Sequence, residues 1–229
     1  MEKMTKKMLP AGEPFKRGAE YSLKHEKMVK EFVEKHGLGL VSYGNKTEKA
    51  FHPTSPEEVA EWKKYIKEER EKGVRQRPDC LILPKDAGAP PLDEIENSQA
   101  DEWVKKATGA IEIKASAILF NKELNFTMPP ESLQDMVEWK AKHQKPVYIV
   151  QSFGDQAWQI ELDDFLRAKP RRAAIGGVEN YLVRVTEGEK VGDMVGVTYT
   201  ITDKNKGKIN KESYKEGFIK GELPKKWGR

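Results

Sequence analysis

Two stretches decide the fold: Arg77-Pro78-Asp79-Cys80-Leu81-Ile82-Leu83 and Gly109-Ala110-Ile111-Glu112-Ile113-Lys114. Each is a short apolar run entered through proline or glycine, the pattern of a strand buried on both faces. Successive strand residues point to opposite faces, so Glu112 and Lys114, two apart, share one. Asp79 stands where the first run begins. Two carboxylates and an ammonium are therefore expected among apolar neighbours, an expensive placement unless a partner or a metal offsets the charge.

Working outward, helices and strands alternate. The spacing of Leu23, Met28, Phe32 and Val33 predicts a helix from about Ala19 to His36, stopped by Gly37. Leu38 to Tyr43 offers a short strand. A second helix is expected from Ser55-Pro56-Glu57-Glu58 to Gly73, with Ser55 as cap, Pro56 in the first helical position and Glu58 completing a capping box. Pro84 to Thr108 reads as a surface excursion or a small helical insertion ending near Trp103-Val104. Downstream, Pro130 to His143 predicts a helix with Leu133, Met136, Val137 and Lys140 inward. Pro146 to Val150 and Ala157 to Leu162 predict strands, and Asp163 a helix cap before Pro170. Tyr181 to Thr186 and Val195 to Ile201 alternate and predict a β pair; Gly176-Gly177 predicts a turn. The sum is an α/β fold: a central mixed sheet of four to six strands flanked by helices, with a β-rich C-terminal portion. Residues 1–18 read as a flexible arm, 19–203 as the main domain with an insertion at about 84–108, and 204–229 as a basic segment.

Composition narrows the chemistry. Of 229 residues, 34% are charged and 37% hydrophobic, enough for one core beneath a strongly charged surface. A net charge of +4 is shared unevenly: from Lys204 to Arg229 nine Lys or Arg face three Glu, with Tyr214, Phe218 and Trp227 between them. Arg167, Lys169, Arg171 and Arg172 form a second cluster. Both suit phosphate contacts, although a solvated surface and ordinary core aromatics explain the same residues. One cysteine, Cys80, excludes an intrachain disulfide and a cysteine-based zinc site and reads as a buried thiol. His25, His36, His52 and His143 lack ligand spacing and read as surface residues. No apolar run reaches membrane-spanning length, no secretory segment opens the chain, and no P-loop is found, so a cytoplasmic protein without a membrane or nucleotide-cofactor role is expected.

The acids and the lysine make a chemically complete set for phosphodiester hydrolysis. Asp79 and Glu112, with the Ile113 carbonyl, offer oxygen ligands to Mg²⁺, for which Mn²⁺ can substitute. Lys114 can orient or deprotonate an attacking water and offset developing charge. Pro78-Asp79 and Glu112-Ile113-Lys114 together resemble the PD-(D/E)xK nuclease superfamily, which includes type II restriction endonucleases and archaeal Holliday-junction resolvases. The helix Glu26-Lys-Met-Val-Lys-Glu-Phe-Val-Glu-Lys-His-Gly37 resembles the first helix of the resolvases. The likeness implies a restriction-endonuclease-like fold over residues 19 to 152, a metal-dependent DNA endonuclease, and Glu26 as a further acidic catalytic residue, with Glu20 its competitor. It requires Pro84 to Thr108 to be an insertion. A type II restriction enzyme cutting double-stranded DNA as a homodimer is the first expectation. A junction or repair nuclease is the second, and a non-catalytic nucleic-acid-binding module the reading from another class. Arg75, Arg77, Lys122, Gln134, Arg171 and Arg172 are the candidate DNA contacts, with Gln151 of similar standing to Gln134.

Overall fold

A computed structural model of the chain describes residues 12–44, 76–87, 99–114, 118–120, 123–153, 156–175, 178–203 and 208–227, with single positions between 57 and 71. The first helix, α1, spans Gly12–Lys35. It starts well before Ala19, taking in part of the expected arm. Pro14 permits this because the first four N–H groups of a helix have no intrahelical acceptor to lose. Met28, Val29, Phe32 and Val33 form its buried stripe. Gly37 ends it in the left-handed region, at φ +82°, where a side chain would be strained. Of the second expected helix, Glu57, Ala60, Glu61, Lys64, Lys67, Glu68 and Glu71 are described, all helical and exposed.

The central sheet contains β1 (Gly39–Ser42), β2 (Cys80–Leu83), β3 (Gly109–Lys114), β6 (Val147–Phe153), β7 (Gln156–Glu161), β10 (Glu189–Asp203) and β11 (Lys208–Gly221), in that spatial order. β3 and β6 run parallel and every other neighbouring pair is antiparallel. The chain crosses from β3 to β6 through β4 (Ile118–Phe120), β5 (Glu123–Met128) and helix α3 (Pro130–His143). A second sheet, ordered β4-β5-β9-β8, is completed by β8 (Arg171–Ile175) and β9 (Val178–Arg184). Seven strands in the main sheet exceed the expected four to six. The predicted pairing of Tyr181–Thr186 with Val195–Ile201 is also corrected: β9 pairs with β5 and β8, whereas β10 pairs with β7 and β11. Alternation identifies a strand but carries no information about its neighbour. Gly176 and Gly177 lie outside the described residues.

Each face of the main sheet has its own core. On one, α1 and the C-terminal Trp227 cover Cys80, Ile82, Ile111, Ile113, Tyr148 and Val150. On the other, helix α2 (Ala100–Lys106), α3, helix α4 (Leu162–Arg167) and the second sheet enclose Leu81, Leu83, Ala110, Val147 and Ile149. Trp103 and Val104 are buried on α2, so the insertion contributes to the core. On α3, Leu133 and Met136 face inward as expected, but Val137 stays 38% exposed and Trp139 takes the inward position three residues after Met136. Asp163 does not cap α4. The helix begins at Leu162, directly out of β7, and Asp163 sits in its first turn paired with Lys140. The basic tail is no appendage: β11 borders the main sheet, and Trp227 is fully buried, its indole N–H donating to Gln159 Oε1 at 3.0 Å.

Candidate active site

β2 and β3 are antiparallel neighbours with Cys80 opposite Ile111, so the residue before β2 arrives beside Glu112. The backbone fixes it there. Tyr43 and Gly44 both donate their N–H groups to the Asp79 carbonyl, at 2.8 and 3.1 Å. The approach is close enough that a Cβ at Gly44 would lie 2.8 Å from the Pro78 carbonyl oxygen, which explains a glycine at that point. The Asp79 side chain turns onto β3, where its Oδ2 accepts the Ile113 N–H at 2.6 Å. Asp79 N–H in turn points at Glu112 Oε2, 3.3 Å away. Lys114 Nζ donates to the other oxygen, Glu112 Oε1, at 2.5 Å.

Glu112's side chain is 8% exposed and Lys114's 23%, so the carboxylate is withdrawn while the ammonium reaches the surface. Burial pushes the Asp79 carboxyl well above the usual carboxylate range, and the charge of Glu112 pushes it further, against the pull of Lys114. Burial alone would lower Lys114, but Glu112 and Asp79 outweigh it and hold the ammonium above its ordinary value. Glu26, half-buried on α1, belongs to the same field: its negative charge raises both Asp79 and the Cys80 thiol. Cys80 is buried as expected, and burial with these carboxylates keeps it a neutral thiol.

Beside Lys114, on the next strand, lies a buried polar pair. Gln151, opposite Lys114 in the β3–β6 register, is fully buried. Its Oε1 accepts the Thr127 N–H at 2.9 Å, and its Nε2 donates to Thr127 Oγ1 at 3.3 Å. Thr127 escaped the sequence reading. The signal available was a threonine inside the apolar run Phe126-Thr127-Met128, which places a hydroxyl in a core.

The candidate DNA contacts are scattered. Arg77 stacks over the Tyr43 ring, 4.9 Å from its centroid, and lines a recess with Asp101, Asp135 and Glu138. Gln134 is exposed and donates to Glu138 on its own helix at 2.8 Å. Arg171 pairs with Glu123 at 3.6 Å, and Arg172 is held by the Tyr181 hydroxyl at 2.6 Å. Arg75, Lys122 and His52 lie outside the described residues. His25 is fully buried rather than a surface residue, because it falls on the face of α1 turned to the sheet. His36 is exposed and its Nδ1 lies 2.8 Å from the Phe32 carbonyl, whereas His143 is half-buried against Trp139.

An acid at the entrance of one strand, linked to a Glu-x-Lys on the next, resembles the PD-(D/E)xK arrangement. No family model matches the chain, and no curated protein does. Among solved structures, the Holliday junction resolvase Hjc of the archaeal hyperthermophile Archaeoglobus fulgidus is similar at 11% identity and a TM-score of 0.38, over 73% of this chain and 94% of its own. A nuclease from a fusselovirus is similar at 12% identity and a TM-score of 0.34, over 58% and 81%. No helix among the described residues is long and apolar enough to cross a membrane.

Proposed function

We propose that this chain is a metal-dependent endonuclease that hydrolyses phosphodiester bonds in double-stranded DNA. The observation that carries the reading is the bond from Ile113 N–H to Asp79 Oδ2, which sets two carboxylates from different strands side by side with the Lys114 ammonium on one of them. A purely structural sheet gains little from that arrangement, since apolar residues of similar volume are commonly as stable or more so.

The donor set fits a hard cation. Among the described residues no group of three or more His, Cys, Asp or Glu forms a metal cage. Two carboxylates and the Ile113 carbonyl suit Mg²⁺, which takes oxygen ligands and commonly keeps several waters. Bound there, it would supply Lewis-acid polarisation of the scissile phosphate and a more acidic attacking water. The residues do the rest. Asp79 is held in one orientation by the β3 backbone, so its free oxygen has a fixed direction. Lys114, protonated at neutral pH while it faces Glu112, stabilises negative charge gathering on the phosphate as the water oxygen bonds to phosphorus and the ester oxygen departs. Glu26 acts on Asp79 through its charge from α1; its part as a further acidic residue comes from the resemblance of the first helix.

A type II restriction enzyme acting as a homodimer is the preferred form, because a two-fold protein matches a palindromic site. The test is incubation of the purified protein with long duplex DNA of known sequence in Mg²⁺, Mn²⁺ or EDTA. Discrete metal-dependent fragments establish a sequence-specific enzyme. A smear or single nicks keep the nuclease but move it to a structure-specific or repair role, to be pursued with four-way junctions. DNA binding without cleavage in either metal refutes catalysis.

A further inference from the structure

The recess lined by Arg77, Asp101, Asp135 and Glu138 lies next to the catalytic set. Arg77 stands two residues before Asp79, and Tyr43, whose N–H donates to the Asp79 carbonyl at 2.8 Å, forms part of the recess wall. In the sheet order β1-β2-β3, Asp79 thus has Ile113 on one side and Tyr43 on the other. The cavity measures about 240 Å³. Asp135, Glu138, Trp139 and Lys142 follow one another at helical spacing, so one face of α3 turns toward it.

Its floor is aromatic. Tyr43 and Trp139 are each 5% exposed, and their rings meet edge to face, 6.1 Å apart at 70°. The Trp139 indole N–H donates to the Tyr43 hydroxyl, which fixes the corner between them. The rim is ionic. Asp101 comes from α2, Asp135 and Glu138 from α3, and against these three carboxylates stand Lys142 and the Arg77 guanidinium, 4.9 Å from the Tyr43 ring centroid. His143, 4.8 Å from the Trp139 ring, adds no cation at neutral pH, because burial and the neighbouring Lys142 hold its imidazole below the ordinary value. The acids are not gathered as metal ligands are: among the described residues no group of three or more His, Cys, Asp or Glu could hold an ion. A cationic ligand is opposed by Arg77 and Lys142, and an anionic one by the three acids. A neutral planar ring with N–H donors meets neither objection. Unstacked bases lie on aromatic rings and arginine planes, and their amino groups donate to carboxylates.

We propose that this recess receives one unstacked nucleobase of the DNA, its ring against Tyr43 and Arg77, and selects adenine, cytosine or guanine through donation of the exocyclic amine to Asp101 or Glu138. Thymine has no amine and sets carbonyl oxygens against the carboxylates. Taking a base out of the stack costs least where it is already unpaired, so an unpaired nucleotide is the natural probe. The inference rests on the nuclease reading for bringing DNA to this part of the sheet.

The test measures anisotropy of a labelled duplex with one unpaired central nucleotide, in EDTA, with adenine, cytosine, guanine, thymine or no base at that position. The full chain binds the first three at least about fivefold more tightly than thymine or the abasic sugar. The variant Asp101→Ala/Glu138→Ala, at two exposed positions, brings the five affinities together. A control, Glu102→Ala/Glu187→Ala, removes as much charge at exposed positions outside the recess and keeps the preference. Removing acids strengthens binding of any polyanion through net charge alone, so the ratio of affinities is the readout. Equal affinity of the wild type for all five duplexes overturns the proposal. So does a preference that survives in the recess variant, or one that the control abolishes as well. The failures are separable: a wild type that shows the preference but cuts no DNA in Mg²⁺ or Mn²⁺ refutes the nuclease and keeps the recess. A wild type that cuts DNA without the preference refutes the recess and keeps the nuclease.

Discussion

Replacing Lys114 by methionine removes one cation from a site that holds two carboxylates. Glu112, with its side chain 8% exposed, then loses the partner at 2.5 Å, and Asp79 loses the positive charge that opposes its burial. Removing one partner of a fully buried pair costs about 3–5 kcal/mol. Lys114 keeps 23% of its side chain in solvent, so about 2–3 kcal/mol is expected here. For a chain of this size that corresponds to about 4–12 °C in Tm. The assay is urea unfolding at pH 7 in EDTA, for wild type, Lys114→Met, Glu112→Gln and the double variant. The double variant recovers at least half of the loss, because it no longer strands the Glu112 charge and removes the repulsion that Glu112 adds at Asp79. A Lys114→Met protein within about 0.5 kcal/mol of wild type, or a double variant no more stable than Lys114→Met, refutes the argument that these charges balance one another.

Asp79→Asn takes the opposite direction. A carboxyl whose folded pKa is raised contributes fully below its unfolded value, 3.8, and loses that contribution as pH rises through the folded one. The variant is therefore more stable than wild type at pH 7 without metal, the difference closes below about pH 4, and the gain comes with loss of cleavage; equal stability across pH 4–8 contradicts it. Mg²⁺ stabilises wild type against heat but not Asp79→Asn, as expected for a ligand that binds only the folded site, and an equal shift in both places the ion elsewhere. Trp227→Ala costs about 3–5 kcal/mol in urea unfolding, because it empties a fully buried position beneath Tyr148 and leaves Gln159 without its indole donor. A loss below about 1 kcal/mol would show the tail to be peripheral.

Legibility in the sequence depended on which interactions are local. The strands at Cys80–Leu83 and Gly109–Lys114 declare themselves by composition, and the shared face of Glu112 and Lys114 comes from the two-residue period. Asp79 could be placed at a strand entrance but not onto Ile113, since nothing in either stretch states the β2–β3 register. The second sheet was invisible for the same reason: β5 and β9 are separated by a helix, two strands of the other sheet, another helix and β8, yet they pair. Val137, four residues after Leu133, and Trp139, three after Met136, both hold helical spacing, and packing against Tyr43 chooses between them, with the indole N–H donating to the Tyr43 hydroxyl at 3.3 Å. Core packing is a reading the sequence allows for the tail's aromatics, and Trp227 bears it out, but its closure against Tyr148 and Gln159 depends on contacts far apart in the chain.

The most direct test of the central claim is single-turnover cleavage of a bound duplex in Mg²⁺, comparing wild type with Lys114→Ala and Asp79→Asn at protein concentrations that saturate binding. The account predicts rates at least about 10²–10³-fold lower for each variant, with DNA affinity in EDTA changed little, because both groups act on the reacting phosphate rather than on the grip. Cleavage by either variant within about tenfold of wild type would contradict it and place the chemistry somewhere other than Asp79, Glu112 and Lys114.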